Sequence, residues 1–295
     1  MPVVSSINSI TELNTVFPDE CSLIDALMLE GYLKSEQTCD KCGRDMHLRK
    51  RKDGYEWRCR ESKKKDCSSK SVKSGSWFNK TKVSFRVIFQ MFIMFSNKHL
   101  NVQVEKELKV SGKTITDYKS FFRELCTRVH DSYDKIGGGG DRVQIDETAF
   151  HVRKYGRGEI RRELEWLFGG YSETTSKCFG IFVKDRSGKT LMRELKKHVK
   201  EDSVIISDAW KGYSNVKNQY QEHIVVNHSE NYADEDGNNT NSVEAMWSRF
   251  KKQLKAMNGV KNGGLDRYVI EQIVRQNEGD GFHATILHEM KSFVT

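Results

Sequence analysis

Three carboxylates stand out among the 41 acidic residues, because each lies where it could reach a shared site. Asp146 ends an alternating segment and Asp208 ends an apolar one, and both patterns are typical of strands. Glu244 lies near the start of a long amphipathic helical pattern. Two strands with adjacent ends can bring the aspartates together while a helix across the sheet supplies the glutamate. Such a triad binds divalent cations, and two Mg²⁺ (or Mn²⁺) ions about 3.5–4 Å apart can activate water or a 3′-hydroxyl in phosphoryl transfer.

The carboxylates also have a purely structural interpretation, since an aspartate at the end of a strand is ordinarily a turn residue. Glu147 is the obvious rival to Asp146, but alternation points it to the opposite face of the strand. Lys251 follows Glu244 by two helical turns, so it shares that face of the helix and could contact a DNA phosphate. Trp247 is expected in the core rather than as a base-stacking platform.

A second set of residues has metal-ligand spacing. Two cysteine pairs about 16 residues apart offer the four soft donors that tetrahedral Zn²⁺ requires, and they are Cys39, Cys42, Cys59 and Cys67. The second pair is more widely spaced than usual, with three lysines in its loop. Four reduced structural cysteines, or His47 in place of one cysteine, are the alternatives. Because all four positions would be filled, the role predicted for zinc is structural.

Charge is concentrated around these cysteines. Residues 38–86 contain 16 Lys and Arg against 6 Asp and Glu, a local charge of +10 within a net charge of +8. A positive patch of this kind most often meets phosphate, so we expect nucleic acid as the partner. Four consecutive basic residues inside the patch are either phosphate contacts or a nuclear localisation signal, and they are Arg49, Lys50, Arg51 and Lys52.

The elements that must position these groups change in type along the chain. Helical spacing predicts helices over 83–95, 102–108 and 113–133, with a turn at 110–112, which is the outline of a helix-turn-helix. In that arrangement the start of the last helix enters the major groove, so Lys113, Thr114, Thr116 and Lys119 are candidate DNA contacts. Ile115, Tyr118, Phe121, Phe122 and Leu125 are expected to pack inward.

Beyond Gly137–Gly140, which we interpret as a hinge, the pattern becomes strand, strand, strand, helix, strand, strand, helix. This order predicts a mixed α/β sheet with helices on its faces, of which a ribonuclease H-like core is one example. The predicted organisation is a helical segment at 1–37, a zinc ribbon at 38–82, a helix-turn-helix region at 83–136 and a catalytic domain at 141–295 that includes the C-terminal helices.

At these residues the chain resembles DDE transposases of the Merlin superfamily and the related bacterial insertion-sequence transposases. The resemblance spans roughly residues 20–275. The motifs that carry it are Cys39-Asp-Lys-Cys42-Gly43, Ser71 to Phe78, Phe122 to Cys126, Val143-Gln144-Ile145-Asp146-Glu147-Thr148, Ser207-Asp208-Ala209-Trp210-Lys211-Gly212-Tyr213, Val226-Asn227-His228-Ser229 and Thr240 to Lys251.

The resemblance implies that Asp146, Asp208 and Glu244 are the catalytic, metal-binding triad on a ribonuclease H-like core. It further implies that the zinc ribbon and helix-turn-helix recognise the terminal inverted repeats of a DNA transposon. His228, in the family's Asn-His-Ser motif, is a candidate for positioning DNA or a metal-bound water, with a structural hydrogen bond as the alternative.

The expected function is therefore cut-and-paste transposition by a homodimer or larger assembly. The enzyme would cleave transposon ends by metal-dependent hydrolysis and join the 3′-hydroxyls to target DNA. A domesticated DNA-binding protein and a nuclease of the same fold are the alternatives. The sequence has no apolar run of membrane-spanning length and no signal-peptide pattern, and three scattered cysteines suit a reducing compartment. We expect no membrane association, with a nuclear location in a eukaryotic host and a cytoplasmic one otherwise.

Overall fold

A computed structural model describes residues 4–52, 54–62, 65–150, 165–226, 239–257 and 264–295. The chain divides into two compact units, Met1–Val129 with Asp280–Thr295, and His130–Gly279. None of the helices in the described ranges is long and apolar enough to cross a membrane.

The helices are α1 (Ile10–Val16), α2 (Glu20–Leu29), α3 (Phe85–Ser96), α4 (Asn101–Leu108), α5 (Gly112–Asp131), α6 (Gly188–His198), α7 (Asn241–Ala256), α8 (Leu265–Glu278) and α9 (Phe282–Lys291). The strands are β1 (His47–Arg51), β2 (Gly54–Ser62), β3 (Lys65–Ser71), β4 (Arg142–Phe150), β5 (Glu165–Ser172), β6 (Cys178–Val183), β7 (Val204–Asp208) and β8 (Glu222–Val226).

The first unit combines a small antiparallel sheet with helices. The sheet has the order β1-β2-β3, and β1 is exposed along its whole length. Most of the buried apolar side chains lie on the helices, and α3 alone buries eight of them. This helix begins after its cap residue Ser84, whose hydroxyl accepts a hydrogen bond from the Val87 amide. The helices α3, α4 and α5 confirm the predicted succession to within a few residues, because amphipathic spacing dominates in all three.

The second unit is built on a mixed five-stranded sheet of order β6-β5-β4-β7-β8. The strands β4, β5 and β6 are antiparallel neighbours, while β7 pairs parallel with both β4 and β8. One apolar cluster includes residues of α6 together with Val143, Ile145 and Ile205, and the other includes residues of α7 and α8 with Leu167. The helices therefore cover both faces, as the sequence predicts for a mixed α/β fold.

The glycine run is a structured loop within the second unit rather than a free hinge. All four residues of Gly137–Gly140 have positive φ, between 61° and 98°. The Gly138 amide donates to Ser203 Oγ at 2.8 Å, and the Gly139 amide donates to Asp202 Oδ2 at 2.7 Å. A Cβ on Gly137 would lie 2.3 Å from Ser203 Oγ. Glycine is needed here for conformation and close packing, which composition alone does not distinguish from flexibility.

The C-terminal helix also groups differently from the sequence-based division. The sequence pattern predicts one domain over 141–295, but α9 belongs to the first unit, where Arg128 Nε donates to Glu289 Oε1 at 2.5 Å. The ring of His283 on α9 lies 4.9 Å from that of Phe92 on α3. A helix that returns to pack on an element nearly 200 residues earlier leaves no local signal in the sequence.

Candidate active site

The two aspartates come from neighbouring parallel strands at the same level of the sheet. The last parallel pair between β4 and β7 is Gln144 with Ile206, and each aspartate lies two residues further along its strand. Asp208 ends β7 as predicted. Asp146 does not end β4, which continues to Phe150 because it still pairs with β5. The expected proximity of the strand aspartates follows from this register.

The alternation along β4 separates Asp146 from its rival Glu147. Gln144 and Thr148, two residues either side of Asp146, contact α7 through hydrogen bonds to its first turn and to Lys251. Val143 and Ile145 pack in the cluster that contains α6. Glu147 lies on the same face of the strand as those two residues. Its Oε2 accepts a hydrogen bond from the Tyr213 hydroxyl at 2.6 Å, and its Oε1 is buried without a hydrogen-bond partner.

Glu244 lies in the first turn of α7 and is exposed. The hydroxyl of Thr240, the residue that precedes the helix, donates to Glu244 Oε1 at 2.9 Å. This hydrogen bond therefore orients the carboxylate from the residue directly before the helix. Trp247, one turn later, is only 3% exposed, which confirms its place in the core.

The close approach of α7 to the sheet depends on a glycine opposite Asp146. Gly169 on β5 pairs with Asp146, and a Cβ there would lie 2.6 Å from Trp247 Cη2 and 2.4 Å from the Phe179 carbonyl oxygen. Trp247 therefore occupies space that a side chain on β5 would take. This contact is absent from the sequence-based predictions, although two adjacent glycines inside a strand signal a close packing partner.

Gln144 fixes the start of the helix that carries Glu244. Its side chain is 2% exposed, and Oε1 accepts from the backbone amides of Ser242 at 2.9 Å and Val243 at 3.1 Å. Its Nε2 donates to Glu173 Oε1 at 2.7 Å. These bonds satisfy two amides of a helix start that have no intrahelical partner. The sequence-based predictions do not include this role. The available signal in the sequence is an amide side chain two residues from Asp146, on the same face of the strand.

Replacing Gln144 by Leu is expected to lower the free energy of unfolding by about 1–3 kcal/mol, because buried amides lose their acceptor. It is also expected to weaken any activity that needs Glu244. The Q144E variant keeps the acceptor but sets a carboxylate against Glu173, and adding E173Q restores a donor–acceptor pair. Urea unfolding of the three variants tests this, and equal stability of Q144E and Q144E/E173Q would contradict the pairing.

Electrostatics show that the carboxylates act on one another. Burial is the main cause that raises the pKa of Asp146 to about 7, and the charges of Glu147, Asp208 and Glu244 add to it. Burial also raises the pKa of Glu147, against the hydrogen bond from Tyr213. Each partner that raises the pKa of Asp146 is a carboxylate, so the site concentrates negative charge.

A divalent cation suits this donor set. Carboxylate oxygens are ligands that Mg²⁺ prefers, and a cation would offset the repulsion that raises the pKa of Asp146. The oxygens of these three described residues do not form a tight cluster, so metal binding would have to draw them together. Asp146, Asp208 and Glu244 are the residues that would hold the metal.

Lys251 is a cation of α7 close to this group. Its ammonium donates to Thr148 Oγ1 and lies 5.7 Å from the centre of the Phe150 ring. Partial burial lowers its pKa, while the charge of Asp146 opposes the shift. Lys251 and the start of α7 thus both contact β4, through Thr148 and Gln144, and the contact of Lys251 with DNA stays a prediction.

The four cysteines are brought together in the first unit. Their sulfur atoms lie within 4.8 Å of one another, with 3.8 Å between Cys39 and Cys67 and 3.5 Å between Cys42 and Cys59. In the part of the chain that the structure describes, this is the one group of three or more such residues close enough to share an ion. The wide second spacing is accommodated because Cys59 and Cys67 lie on the paired strands β2 and β3.

Two of the four thiols have lowered pKa values and two have raised ones. A hydrogen bond with Ser68 is the main cause that lowers the pKa of Cys39 to about 6, and Arg44 lowers the pKa of Cys42. Burial raises the pKa of Cys59 to about 12 and also raises that of Cys67. Four thiol ligands at this separation fit a tetrahedral Zn²⁺ site, with His47 outside it.

The candidate DNA contacts of the first unit divide into exposed and buried residues. Arg49, Lys50 and Arg51 are exposed on β1, and Lys52 follows in the turn. Lys113 and Thr116 are exposed on α5, whereas Thr114 is half-buried and hydrogen-bonded to Ser111.

Two side chains of α5 have the opposite exposure from the one predicted. Lys119 is 7% exposed and donates to the His99 carbonyl at 2.5 Å, so it is a structural residue. Phe121 is 44% exposed, because Tyr118, Phe122 and Leu125 already fill the buried stripe. His228 lies outside the described residues.

Comparison with known proteins shows sequence similarity to transposases. Residues 135–277, just under half of the chain, match the ISXO2-like transposase domain. A transposase-like protein of Haemophilus influenzae is 26% identical over 104 residues, which cover 35% of this chain and 84% of that protein. The HTLV-2 integrase catalytic core domain, solved in complex with magnesium in a trimeric form, is 10% identical with a TM-score of 0.30 and covers 48% of this chain and 87% of its own. At that TM-score the superposition carries no argument.

The two sequence similarities support a DDE transposase type of domain with a role in DNA processing. The matched segment contains β4 to β8 and α6 to α7 with most of α8, and it therefore includes all three members of the triad. The finer assignment to the Merlin superfamily stays a prediction.

Proposed function

From the match of residues 135–277 to the ISXO2-like transposase domain, we propose that the chain is a cut-and-paste DNA transposase of the Merlin type. The observation that supports the proposal is that Asp146 and Asp208 lie at one level of two parallel strands inside that segment, where the charges of Asp208 and Glu244 both raise the pKa of Asp146. The sheet order β6-β5-β4-β7-β8, in which β5 is antiparallel to both of its neighbours and β7 is parallel to both of its own, supports a ribonuclease H-like core.

In the proposed reaction, Asp146, Asp208 and Glu244 would hold two Mg²⁺ or Mn²⁺ ions, which would supply charge stabilisation for the attacking and the leaving oxygen. Asp146 and Asp208 supply ligands from the rigid sheet, and Glu244 supplies one from the start of α7. Gln144 holds that helix start in place, and Lys251 contacts a phosphate beside the site.

Two chemical steps follow from one arrangement. In the first, water attacks phosphorus at a transposon end, the bond from phosphorus to the 3′ oxygen breaks, and the strand leaves with a free 3′-hydroxyl. In the second, that hydroxyl loses its proton and attacks a target phosphodiester, whose own 3′ oxygen departs and takes up a proton. The second step exchanges one phosphodiester for another, so it needs no external energy source.

The first unit would recognise the DNA. We propose that Zn²⁺ on Cys39, Cys42, Cys59 and Cys67 orders the ribbon and that Arg49, Lys50, Arg51 and Lys52 contact phosphates. Lys113 and Thr116, exposed near the start of α5, are the stronger candidates for contact with the terminal inverted repeats, with Thr114 beside them. A homodimer or larger assembly, needed to handle two ends, would act in the nucleus of a eukaryotic host or in the cytoplasm of a bacterium.

The test is an assay of cleavage and joining on labelled duplexes that carry the inverted repeats flanking the gene for this chain. We expect both products with Mg²⁺ or Mn²⁺ and neither after chelation. Because EDTA also removes zinc, Mg²⁺ alone and Mg²⁺ with Zn²⁺ are added back separately.

Pre-cleaved duplexes with 3′-hydroxyl ends and a target plasmid separate the alternatives. A transposase joins them, whereas a nuclease of the same fold cleaves intact DNA but leaves pre-cleaved ends unjoined. Specific binding without either reaction would indicate a domesticated DNA-binding protein.

A further inference from the structure

Trp210 is exposed beside the carboxylate triad. Its side chain is 40% exposed, whereas Trp57 and Trp247 are buried and the remaining two tryptophans are half-buried. It lies two residues after Asp208, and its backbone amide donates to Asp208 Oδ1 at 3.0 Å. The position of this residue is therefore tied directly to a metal-binding carboxylate of the proposed site.

The indole ring is supported by a stacked cation. The guanidinium of Arg186 lies 4.6 Å from the centre of the Trp210 ring and 3.9 Å from that of Trp166. A guanidinium stacked on an aromatic face is a favourable cation–π contact. Arg186 thus contacts both the exposed indole of Trp210 and the half-buried indole of Trp166.

The loop beneath the ring is shaped to hold it. A Cβ on Gly212 would lie 2.6 Å from Trp210 Nε1, and a Cβ on Gly188 would lie 2.8 Å from the Gly212 carbonyl oxygen. The two glycines let the loop after β7 pack on the start of α6 with the indole against it. An aromatic surface that is exposed yet held in this way is preorganised for a ligand.

The charges around the ring favour a nucleotide. The guanidinium of Arg186 lies against the ring. The exposed Lys211 follows Trp210. An aromatic face takes a base of any sequence, while neighbouring cations attract the phosphates on either side. Unpaired bases expose their faces, whereas paired bases remain stacked in the duplex.

We propose that Trp210 stacks on an unpaired DNA base next to the scissile phosphate, with Arg186 as the positioning residue that holds the ring. The inference rests on the proposed function, since it assigns a ligand to the edge of that site. Unpairing a base costs free energy, and stacking on an aromatic side chain returns part of this cost.

The experiment compares the native protein, W210A and W210F on end duplexes that carry either an intact or an abasic nucleotide at each position flanking the cut. On intact DNA, W210A is expected to lower kcat/KM for cleavage by about 5- to 150-fold, the range for loss of one base–aromatic stack. W210F should recover most of this loss. At one position the abasic site should lower native activity to the W210A level and leave W210A unchanged.

The abasic arm distinguishes stacking from a structural role. If W210A reduces cleavage of intact and abasic duplexes by the same factor at every position, the proposal is overturned, because the ring then acts independently of the base. V225A, which truncates another exposed apolar side chain of the same unit, should match the native protein.

A binding measurement covers the case in which W210A folds poorly. With 2-aminopurine at the sensitive position and Ca²⁺ in place of Mg²⁺, the native protein and W210F should quench its fluorescence while R186A quenches less. No quenching by the folded native protein would overturn the proposal. Native protein that neither cleaves nor joins intact ends with Mg²⁺ would instead overturn the proposed function, so the two failures are distinct.

Discussion

Asp146→Asn, Asp208→Asn and Glu244→Gln are each expected to lower metal-dependent DNA cleavage at least about 10³-fold. A metal ion supplies several kcal/mol of charge stabilisation in the transition state, and each ~1.36 kcal/mol corresponds to a factor of ten in rate. Each substitution keeps the shape of the side chain but removes the charge that binds the cation. Binding to transposon ends should change little, because the candidate DNA contacts lie mainly in the ribbon and α5.

The measurement is single-turnover cleavage of labelled end duplexes beside an equilibrium binding assay. Glu222→Gln is the matched control, because it removes a carboxylate that is exposed at the opposite end of β8 from the triad level. It should cleave like the native protein. Loss of end binding in the triad variants would argue against separate sites for recognition and chemistry.

Glu147→Gln tests the assignment along β4. The carboxylate of Glu147 accepts from Tyr213 on the face that packs toward α6, whereas Asp146 is in step with Gln144 and Thr148 on the α7 face. We expect Glu147→Gln to be at least about tenfold more active than Asp146→Asn, since a tenfold difference corresponds to ~1.36 kcal/mol. An equal loss in both variants would give Glu147 a share of the metal site, consistent with its unpartnered Oε1.

The core of the second unit is well predicted from the sequence, because local patterns determine it. Alternation in β4, the apolar run of β7 and the fourfold spacing of α6 each specify an element and the face it buries. The strands then bring Asp146 and Asp208 to one level by parallel register. Local patterns therefore predict the common level of Asp146 and Asp208, while the metal-binding role of the three carboxylates stays a prediction.

The features that the sequence patterns do not predict all depend on contacts between distant residues. Gln144 reaches α7 across 98 positions, and the space beside Gly169 matters only because Trp247 fills it. Lys119 illustrates the opposite error, since a lysine at the start of a recognition helix is expected to face solvent, yet it donates to the His99 carbonyl. Periodicity gives the face of an element but not its partner.

Replacing Cys59 by Ser, or removing zinc from the native protein, is expected to unfold the ribbon. Among the described residues between 38 and 72, the buried apolar side chains other than cysteine are Met46, Trp57 and Val72. Burial stabilises by about 1.5–3 kcal/mol for each such side chain, whereas structural Zn²⁺ contributes about 10–16 kcal/mol in zinc-finger peptides. A bound zinc ion would therefore dominate, since a sheet whose first strand is exposed along its whole length has little else to hold it.

Zinc content and limited trypsin digestion of the full chain check this prediction. The native protein should hold about one zinc ion, and C59S far less, with faster cleavage at the ribbon residues Arg58, Arg60 and Lys70. Cys21→Ser is the control, since Cys21 lies on α2 outside the cluster. A zinc-loaded, trypsin-resistant C59S would mean that three thiols suffice.

Loss of end binding in C59S with retained joining of pre-cleaved ends would place recognition in the ribbon and chemistry in the triad, because the two sites come from separate units of the chain.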